Sequence, residues 1–251
     1  MGIYFLDVEF TNGNFYMADI IEIALLADDT NHVFHQYIQI HYALPHRIEE
    51  MLDITNDILA SRGCTFTNAM TGFLDFIRAE QMHSTTQAIL IAHGGYYHDF
   101  PILLKNCIKH DFKDINLLRE CLFVDSMNIF KDAGFPRPGL DTLSQLAHVQ
   151  RYGHSALKDV RLLRDVAHYF PDVLLDHPYS YTYIDIRKLL RDKLPVSIHQ
   201  LYTKARQCIS YTELYDWLSV YSRKKTALHG YNVLMHIAYH SFNDRYLFCC
   251  T

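Results

Sequence analysis

Residues 3–9 read Ile-Tyr-Phe-Leu-Asp-Val-Glu, a short apolar run that ends in two acids. Aromatic and β-branched residues favour a strand, and turn-forming residues separate this run from two further strand-like runs at residues 19–27 and 32–40. Three strands on short turns predict an antiparallel meander. Because residues 3–6 are all apolar, we expect the first strand to be central and buried.

The two acids at the end of this run, Asp7 and Glu9, are two positions apart. Side chains at this spacing on a strand point to the same face. Neighbouring carboxylates at the end of a buried strand repel each other, and burying them without a partner is costly. The same pattern is common on solvated strands, but this position favours a cation between the two carboxylates.

Beyond the meander, helical and strand-like patterns alternate. A loop or short helix at residues 53–66 precedes a helix for which Thr67 is the expected N-cap. The later elements are helices at 67–79, 99–110, 142–148 and 156–170, with strands at 88–92 and 122–124. This order predicts the α/β class, a mixed sheet flanked by helices.

A second segment with polar side chains lies at residues 92–103, Ala-His-Gly-Gly-Tyr-Tyr-His-Asp-Phe-Pro-Ile-Leu. A buried strand leads into the Gly94-Gly95 turn, and a helix begins near Asp99. The acid could serve only as a helix cap, and the histidines could be ordinary polar loop residues. Taken alone, this segment leaves both readings open.

A third segment, His-Ser-Ala-Leu-Lys-Asp at residues 154–159, follows a glycine and opens a helix. A histidine side chain titrates near neutrality and can take a proton from water, although at a helix start it is more often a surface residue. Two-metal phosphodiester hydrolysis needs several carboxylates around two ions about 3.5–4 Å apart, with a base for the attacking water. Together the three segments offer such a set. Mg²⁺ prefers oxygen ligands, which the four carboxylates of Asp7, Glu9, Asp99 and Asp159 supply. His154 is then free to act as the base.

The order of these three segments resembles that of the DEDDh 3′–5′ exonucleases, DnaQ-like members of the RNase-H-like superfamily. The segments Val-Asp-Ser at 124–126 and Gly-Leu-Asp-Thr-Leu at 139–143 look most similar to small stand-alone eukaryotic and viral members. The exonuclease-like domain of some promyelocytic leukaemia protein isoforms is another such relative. The resemblance covers residues 1 to about 170, and its most specific part is the third segment.

The resemblance implies an RNase-H-like mixed five-stranded sheet with helices on both sides. It implies that Asp7 bridges two Mg²⁺ ions, which Mn²⁺ could replace, and that Glu9 also approaches the substrate's 3′ end. Asp99 and Asp159 match the remaining metal-binding acids, and His154 matches the general base. The implied activity is hydrolysis of single-stranded DNA or RNA from the 3′ end, which releases nucleoside 5′-monophosphates.

Two positions depart from the family pattern and bear on substrate fit. Gly94 stands where the family usually has Asn, and His98 stands where an aromatic or apolar residue usually precedes the acid. Phe10 follows the first acids, where it could stack on the terminal base or pack in the core. Thr11 and His93 are the other candidate substrate-binding residues beside the acids.

Charge divides the chain into two predicted parts. Residues 1–172, the expected exonuclease domain, carry 13 Lys and Arg against 22 acids, whereas residues 173–251 carry 10 against 6. The second part also holds ten of the eighteen tyrosines. It is predicted to be a helical appendage, with helices at 181–192, 197–207, 211–222 and 228–241. Arg187, Lys188 and Arg191 on the first helix could bind a nucleic-acid strand, or the appendage could only cap the fold.

The six cysteines are scattered without a C-x-x-C pair, and no apolar run is long enough to span a membrane. The N-terminal run also lacks the features of a secretory signal, so we expect an intracellular protein of the cytoplasm or nucleus. Two alternative functions stay open: a nucleic-acid-binding module that has lost turnover, and a nuclease for very short oligonucleotides or signalling dinucleotides. The choice between DNA and RNA depends on contacts to the 2′-hydroxyl, which the sequence does not identify.

Overall fold

The computed structural model describes residues 2–12, 16–82, 87–150, 153–174, 180–190 and 198–208, together with residues 210, 213, 214, 216 and 217. Its strands are β1 (Gly2–Phe10), β2 (Ile20–Ala27), β3 (Val33–Tyr37), β4 (Ala88–Ala92), β5 (Leu122–Asp125) and β6 (Tyr181–Thr182). Its helices are α1 (His46–Leu52), α2 (Asn56–Arg62), α3 (Phe66–Gln81), α4 (Asp99–Lys109), α5 (Asn116–Glu120), α6 (Ser126–Asp132), α7 (Leu140–Leu146), α8 (Ala156–Tyr169), α9 (Pro171–Leu174), α10 (Tyr183–Leu189) and α11 (Ile198–Gln207).

The strands form one mixed sheet in the order β3-β2-β1-β4-β5-β6. Strands β1, β2 and β3 pair antiparallel, which confirms the predicted meander. Strands β4 and β5 run parallel to β1, and β6 pairs antiparallel with β5. The sheet has six strands rather than the predicted five because residues 181–182 of the basic segment add an edge strand, which is too short to show any alternation in sequence.

The two faces of β1 contribute to different parts of the core. Tyr4, Leu6 and Val8 pack with α3 and α4, whereas Phe5 packs on the opposite side with α8. Since strand side chains alternate, Asp7 and Glu9 share the side of Phe5 and point towards α8. The sheet therefore directs the two predicted acids towards the helix that carries the third predicted segment.

The helix boundaries differ from the sequence prediction in a few places. Helix α3 begins at Phe66, and its N-cap is Thr65, whose side chain accepts a hydrogen bond from Asn68 N, so the prediction of Thr67 as the cap was wrong. Helices α1, α5 and α6 were not predicted, because five to seven residues are too few for a clear helical period. None of the helices in the described ranges is long and apolar enough to cross a bilayer.

The described part of the basic segment packs on the sheet domain. Helices α10 and α11 both lie against α4, and α10 also contacts α5. Arg206 on α11 donates hydrogen bonds to the carbonyl oxygens of Ile108 and Lys109 at the end of α4. The helix predicted at 228–241 and most of that at 211–222 lie outside the described residues. The division at residue 172 stays a prediction.

Candidate active site

Three of the predicted acids meet between β1 and α8. Asp7, Glu9 and Asp159 each offer a carboxylate oxygen, and these oxygens all lie within 4.8 Å of one another. Asp159 is buried in the first turn of α8, the helix that covers this side of β1 and β2. Alternation along β1 and the packing of α8 together account for this convergence.

Asp99 is not part of the group within 4.8 Å and approaches the end of β1 from the opposite side of the sheet. It is the first residue of α4, and its Oδ1 accepts a hydrogen bond of 3.1 Å from Val8 N, between the two acids of β1. Pairing between β1 and β4 ends at Phe5 and Ile91, so Val8 lies beyond the part of β1 that β4 covers. The carboxylate therefore satisfies a strand amide. The N-cap position of α4 is held by His98, so Asp99 is not the N-cap residue.

Burial and like charge dominate the electrostatics of this cluster. Burial raises the pKa of Asp7 well above its usual value, and the nearby carboxylates of Asp99, Glu9, Asp159 and Glu22 raise it further. Burial also raises the pKa of Asp99 to about 7, although the hydrogen bond from Val8 N opposes this shift. A cation among these oxygens would relieve the repulsion. An all-carboxylate donor set fits a hard divalent cation such as Mg²⁺.

His154 lies just before α8, five residues from Asp159 in the sequence. Gly153 has a left-handed backbone (φ 74°), which lets the chain turn before the helix. Ser155 is the N-cap, and its side chain accepts a hydrogen bond from Lys158 N. His154 precedes this cap and is exposed, so it stands at the same end of α8 as Asp159.

Comparison with known proteins identifies the family and supports the fold of this chain. A family of exonucleases (RNase_T) matches residues 4–166, which is more than half of the chain. Two solved structures are similar in fold. One is the nuclease domain of 3′hExo, a DEDDh family member, bound to rAMP, with a TM-score of 0.56 and 18% identity over 68% of this chain and 92% of that one.

The other describes 3′-end specific recognition of histone mRNA stem-loop by 3′-exonuclease, with a TM-score of 0.58 and 16% identity over 72% of this chain and 71% of that one. At such identities these likenesses show the fold alone. No curated protein matched the chain. The chain belongs to the RNase_T family of exonucleases. This family implies use of a divalent metal, and the acidic cluster of this exonuclease suits one.

The loop between β4 and α4 explains one departure of this exonuclease from its family pattern. Gly94 has a left-handed backbone (φ 77°), and its amide donates to Asp125 Oδ1 at 3.0 Å. Asn is one of the few other residues that adopt this conformation readily, so both Gly94 and the Asn usual in the family are compatible with this turn. A Cβ at Gly95 would lie only 2.7 Å from Ala92 Cβ, so the second glycine permits a close approach.

The second departure, His98, pairs with a predicted substrate-binding residue. Its ring is nearly parallel to that of Phe10, with 6.2 Å between centroids and 12° between planes. Phe10 is partly buried against the core, so it has a packing contact and also borders the site. Its contact with a terminal base stays a prediction.

Thr11 and His93, the other candidates beside the acids, are held by the fold. Thr11 is buried, and its hydroxyl accepts a hydrogen bond from Asp19 N and pairs with the hydroxyl of Tyr42. His93 Nδ1 lies 2.9 Å from Ser126 Oγ. Arg187 and Lys188 are exposed on α10, whereas Arg191 lies outside the described residues. The substrate contacts of all five residues stay predictions.

Two buried acids near the site were not assigned a role from the sequence. Asp125 ends β5 and accepts hydrogen bonds from the amides of Gly94 and Tyr96, which fixes the β4–α4 loop. Glu22 lies in β2 and is fully buried. Asp125 and Glu22 could have been recognised in the sequence as single acids within apolar runs, since such an acid needs a partner inside the fold.

Proposed function

We propose that this chain is a 3′–5′ exonuclease that hydrolyses single-stranded nucleic acid and releases nucleoside 5′-monophosphates. The observation that carries the proposal is the convergence of Asp7, Glu9 and Asp159 within 4.8 Å. Asp99, bound to the amide between the first two, completes a set of four acids. Four acids from three sequence segments are unfavourable to bring together unless a cation neutralises their charge.

The metal-binding residues in this proposal are Asp7, Glu9, Asp99 and Asp159, which would hold two Mg²⁺ ions, or Mn²⁺ in their place. Bound Mg²⁺ would supply charge neutralisation at the phosphate and lower the pKa of the attacking water. Asp7 would be the ligand shared by both ions, as the family resemblance implies, and the other three acids all raise its pKa.

His154 is the proposed general base. It precedes the N-cap of α8 and is exposed, so solvent and a bound strand can reach it. A histidine in this place can take the proton of the attacking water without serving as a metal ligand. The acids and the base then have separate tasks, one electrostatic and one in proton transfer.

Recognition of the 3′ end is proposed for the surface around β1. Phe10 and His98 form a ring pair there, which could stack on the terminal base, with Thr11 and His93 nearby in the chain. The similar structures support recognition of a 3′ end, since one is bound to rAMP and the other concerns 3′-end recognition of an RNA stem-loop, but they do not identify the residues involved here.

The part of the bound nucleic acid that lies upstream of its 3′ end is proposed to run along α10. Just before this helix, Tyr181 stacks on Tyr96 of the β4–α4 loop at 4.2 Å, and at its far end Leu189 O accepts a hydrogen bond from Tyr16 OH. Helix α10 therefore reaches from one loop beside the acids to the loop that follows β1. Arg187 and Lys188 are exposed in its last turn, where they could bind phosphates. Packing of α10 on α4 also supports the cap role, and the two roles are compatible.

Incubation with labelled DNA and RNA strands tests the function. We expect release of nucleoside 5′-monophosphates from strands with a free 3′ end, protection by a 3′ block but not by a 5′ block, and loss of activity in EDTA. Full activity in EDTA, or release from the 5′ end, would refute the proposal. Tight binding without turnover would favour the binding module, and cleavage of dinucleotides alone would favour the short-oligonucleotide enzyme.

The intracellular location is retained as part of this proposal. Cys64, Cys107 and Cys121 are thiols rather than disulfides. Burial raises the pKa of Cys107 and of Cys121 to about 12, which makes both thiols unreactive. Buried, unreactive thiols suit the cytoplasm or nucleus.

A further inference from the structure

Glu22 is a fully buried acid in the middle of β2. It stands directly opposite Glu9 in the antiparallel pairing of β1 with β2, so the two side chains share a face of the sheet. Every other residue of β2 is apolar. Burying a carboxylate in such surroundings is unfavourable unless the carboxylate is paired and hydrogen bonded, so the partners of Glu22 indicate its role.

The two oxygens of Glu22 bind different elements. Oε1 lies 2.7 Å from His35 Nε2 on β3, and Oε2 accepts a hydrogen bond of 3.0 Å from Ala156 N, the first residue of α8. His35 is a quarter exposed, and its ring meets that of Tyr37 edge to face at 5.0 Å. Both oxygens of Glu22 are engaged within the protein. Glu22 is therefore better suited to link β3 with α8 than to bind a metal ion.

The first turn of α8 is the part of the helix on which the site depends. The first amides of a helix have no acceptor within it, and a carboxylate near them is also favoured by the helix dipole. Glu22 satisfies the amide of Ala156, and Ser155 satisfies that of Lys158. Asp159 N bonds to Ser155 O in the same turn, so a shift of this turn moves both Asp159 and His154.

We propose that Glu22 is a positioning residue: oriented by His35, it fixes the first turn of α8 so that Asp159 and His154 stand at the correct distance from Asp7 and Glu9. This inference rests on the proposed function. The proposal assigns a role to residues other than the four acids and the base, namely a hydrogen-bonded link from β3 through β2 to α8.

The test compares Glu22→Ala, Glu22→Gln and His35→Ala with the wild type. Loss of a residue that orients metal ligands typically costs ~10–100-fold in metal affinity or activity, and we expect Glu22→Ala to lose that much in kcat and in Mn²⁺ affinity while KM stays near the wild-type value. Glu22→Gln should restore most of the loss because its amide oxygen can still accept from Ala156 N. His35→Ala should lie between the two. Hydrogen exchange of the amides at 156–159 should be faster in Glu22→Ala.

A second histidine–glutamate pair serves as the matched control. His32 Nδ1 lies 2.8 Å from Glu80 Oε1, and this pair joins the β2–β3 turn to α3, away from the first turn of α8. Asp28 of the same turn contacts α8 in its second half, at Arg164 and His168. Glu80→Gln and His32→Ala should leave kcat, Mn²⁺ affinity and exchange at 156–159 unchanged. Equal effects from the two pairs would overturn the proposal.

Two further results would also overturn it. One is a lower melting temperature for Glu22→Ala with unchanged kcat and Mn²⁺ affinity below that temperature, which would make Glu22 only a stability element. The other is unchanged hydrogen exchange in the first turn of α8. Exchange requires neither substrate nor metal, so it tests Glu22 even if the wild type proves inactive, a result that would refute the proposed function instead.

Discussion

Two carboxylates near β1 and β2, the partly buried Asp7 and the buried Asp19, have opposite surroundings. Asp19 lies 3.1 Å from Lys105 Nζ and 2.9 Å from Lys109 Nζ, and Tyr42 OH donates to it. Burial alone would raise the pKa of Asp19, but the two lysines hold it well below its usual range. Around Asp7, burial and four other carboxylates all raise the pKa.

This contrast separates an acid that serves the fold from acids that serve the chemistry. The charge of Asp19 is neutralised by side chains of the same chain, so that cluster is complete once the protein has folded. The cluster around Asp7 accumulates negative charge, which a bound divalent cation would neutralise. Substitutions in the two clusters should therefore affect different properties.

Asp7→Asn should give the largest loss of activity. A metal ion contributes several kcal/mol to stabilisation of the transition state and each 1.4 kcal/mol is a factor of ten, so we expect hydrolysis to fall by ~10³-fold or more. Mn²⁺ binding should also be lost. The metal-free melting temperature should rise, because the substitution removes repulsion among buried carboxylates. Activity assays, calorimetry with Mn²⁺ and melting curves check the three effects, and retained Mn²⁺ binding would contradict the site.

His154→Ala should separate chemistry from metal binding within the same cluster. Loss of a general base lowers kcat by ~10²–10⁴-fold, whereas Mn²⁺ affinity should stay close to that of the wild type. His46→Ala, at an exposed histidine on α1, is the control and should change neither. A fully active His154 variant would mean that another group takes the proton.

Asp19→Asn should mainly affect stability. Removing one member of a buried ion pair costs ~3–5 kcal/mol because the partner charges stay buried, and here two lysines would lose their partner. The control is Asp75→Asn on α3, whose ion pair with Arg78 is exposed and should contribute ~0–1 kcal/mol. Denaturant unfolding measures both, and similar losses for the two variants would remove the distinction between the clusters.

Stability of the metal-free protein should depend on pH through Asp7 and Asp99. The folded-state pKa of Asp99 is about 7, raised from 3.8, and that of Asp7 is also raised, so the protonated acids favour folding at low pH. This contribution is present below the unfolded-state pKa and is lost as the pH rises through the folded-state value. The free energy of unfolding should thus fall between pH 4 and pH 8 relative to an Asp7→Asn, Asp99→Asn double variant.

Added Mn²⁺ provides the complementary measurement for this pH dependence. The ion competes with protons for the same oxygens, so it should stabilise the wild type more at pH 8 than at pH 5. Parallel stability curves for the wild type and the double variant would show that these acids do not titrate with folding.

Replacing Arg187, Lys188 and Arg191 together by Gln should have the smallest effect on activity. If α10 binds the strand, affinity for long strands should fall, and the salt dependence should flatten by ~0.7 for each phosphate that the variant no longer binds. Hydrolysis of a dinucleotide, which is too short to reach α10, should not change. The control carries the same charge change at exposed Arg47, Lys113 and Lys131. Equal losses on short and long strands, or a lower melting temperature alone, would leave only the cap role.

The sequence predicted the parts of this protein that depend on local pattern. The meander and the alternation of β4, α4, β5 and α8 follow from periodicity, whereas the convergence of Asp7, Glu9 and Asp159 was expected from the needs of two-metal hydrolysis and from the family resemblance of the three segments. The pairing of Glu22 with His35 and Ala156 could not be predicted, since it joins residues up to 134 positions apart. The edge strand β6 likewise depends on packing of the basic segment.

The partners of Asp19 were also missed for a physical reason. Lys105 lies in a helical stretch where a lysine normally marks the solvent side, yet its side chain is only 2% exposed and reaches Asp19. Whether a lysine on a helix is buried depends on a partner far away in the chain, and the local pattern carries no information about that partner.

The hydrogen bond from Val8 N to Asp99 has a consequence for sequence change over evolution. A descendant of this chain that no longer needed activity would still need an acceptor for that strand amide. Asn keeps an oxygen at the same place, whereas Ala leaves the amide unsatisfied at a cost of ~1–3 kcal/mol. Inactive descendants should therefore retain Asp or Asn at position 99 long after Glu9 has drifted to other residues.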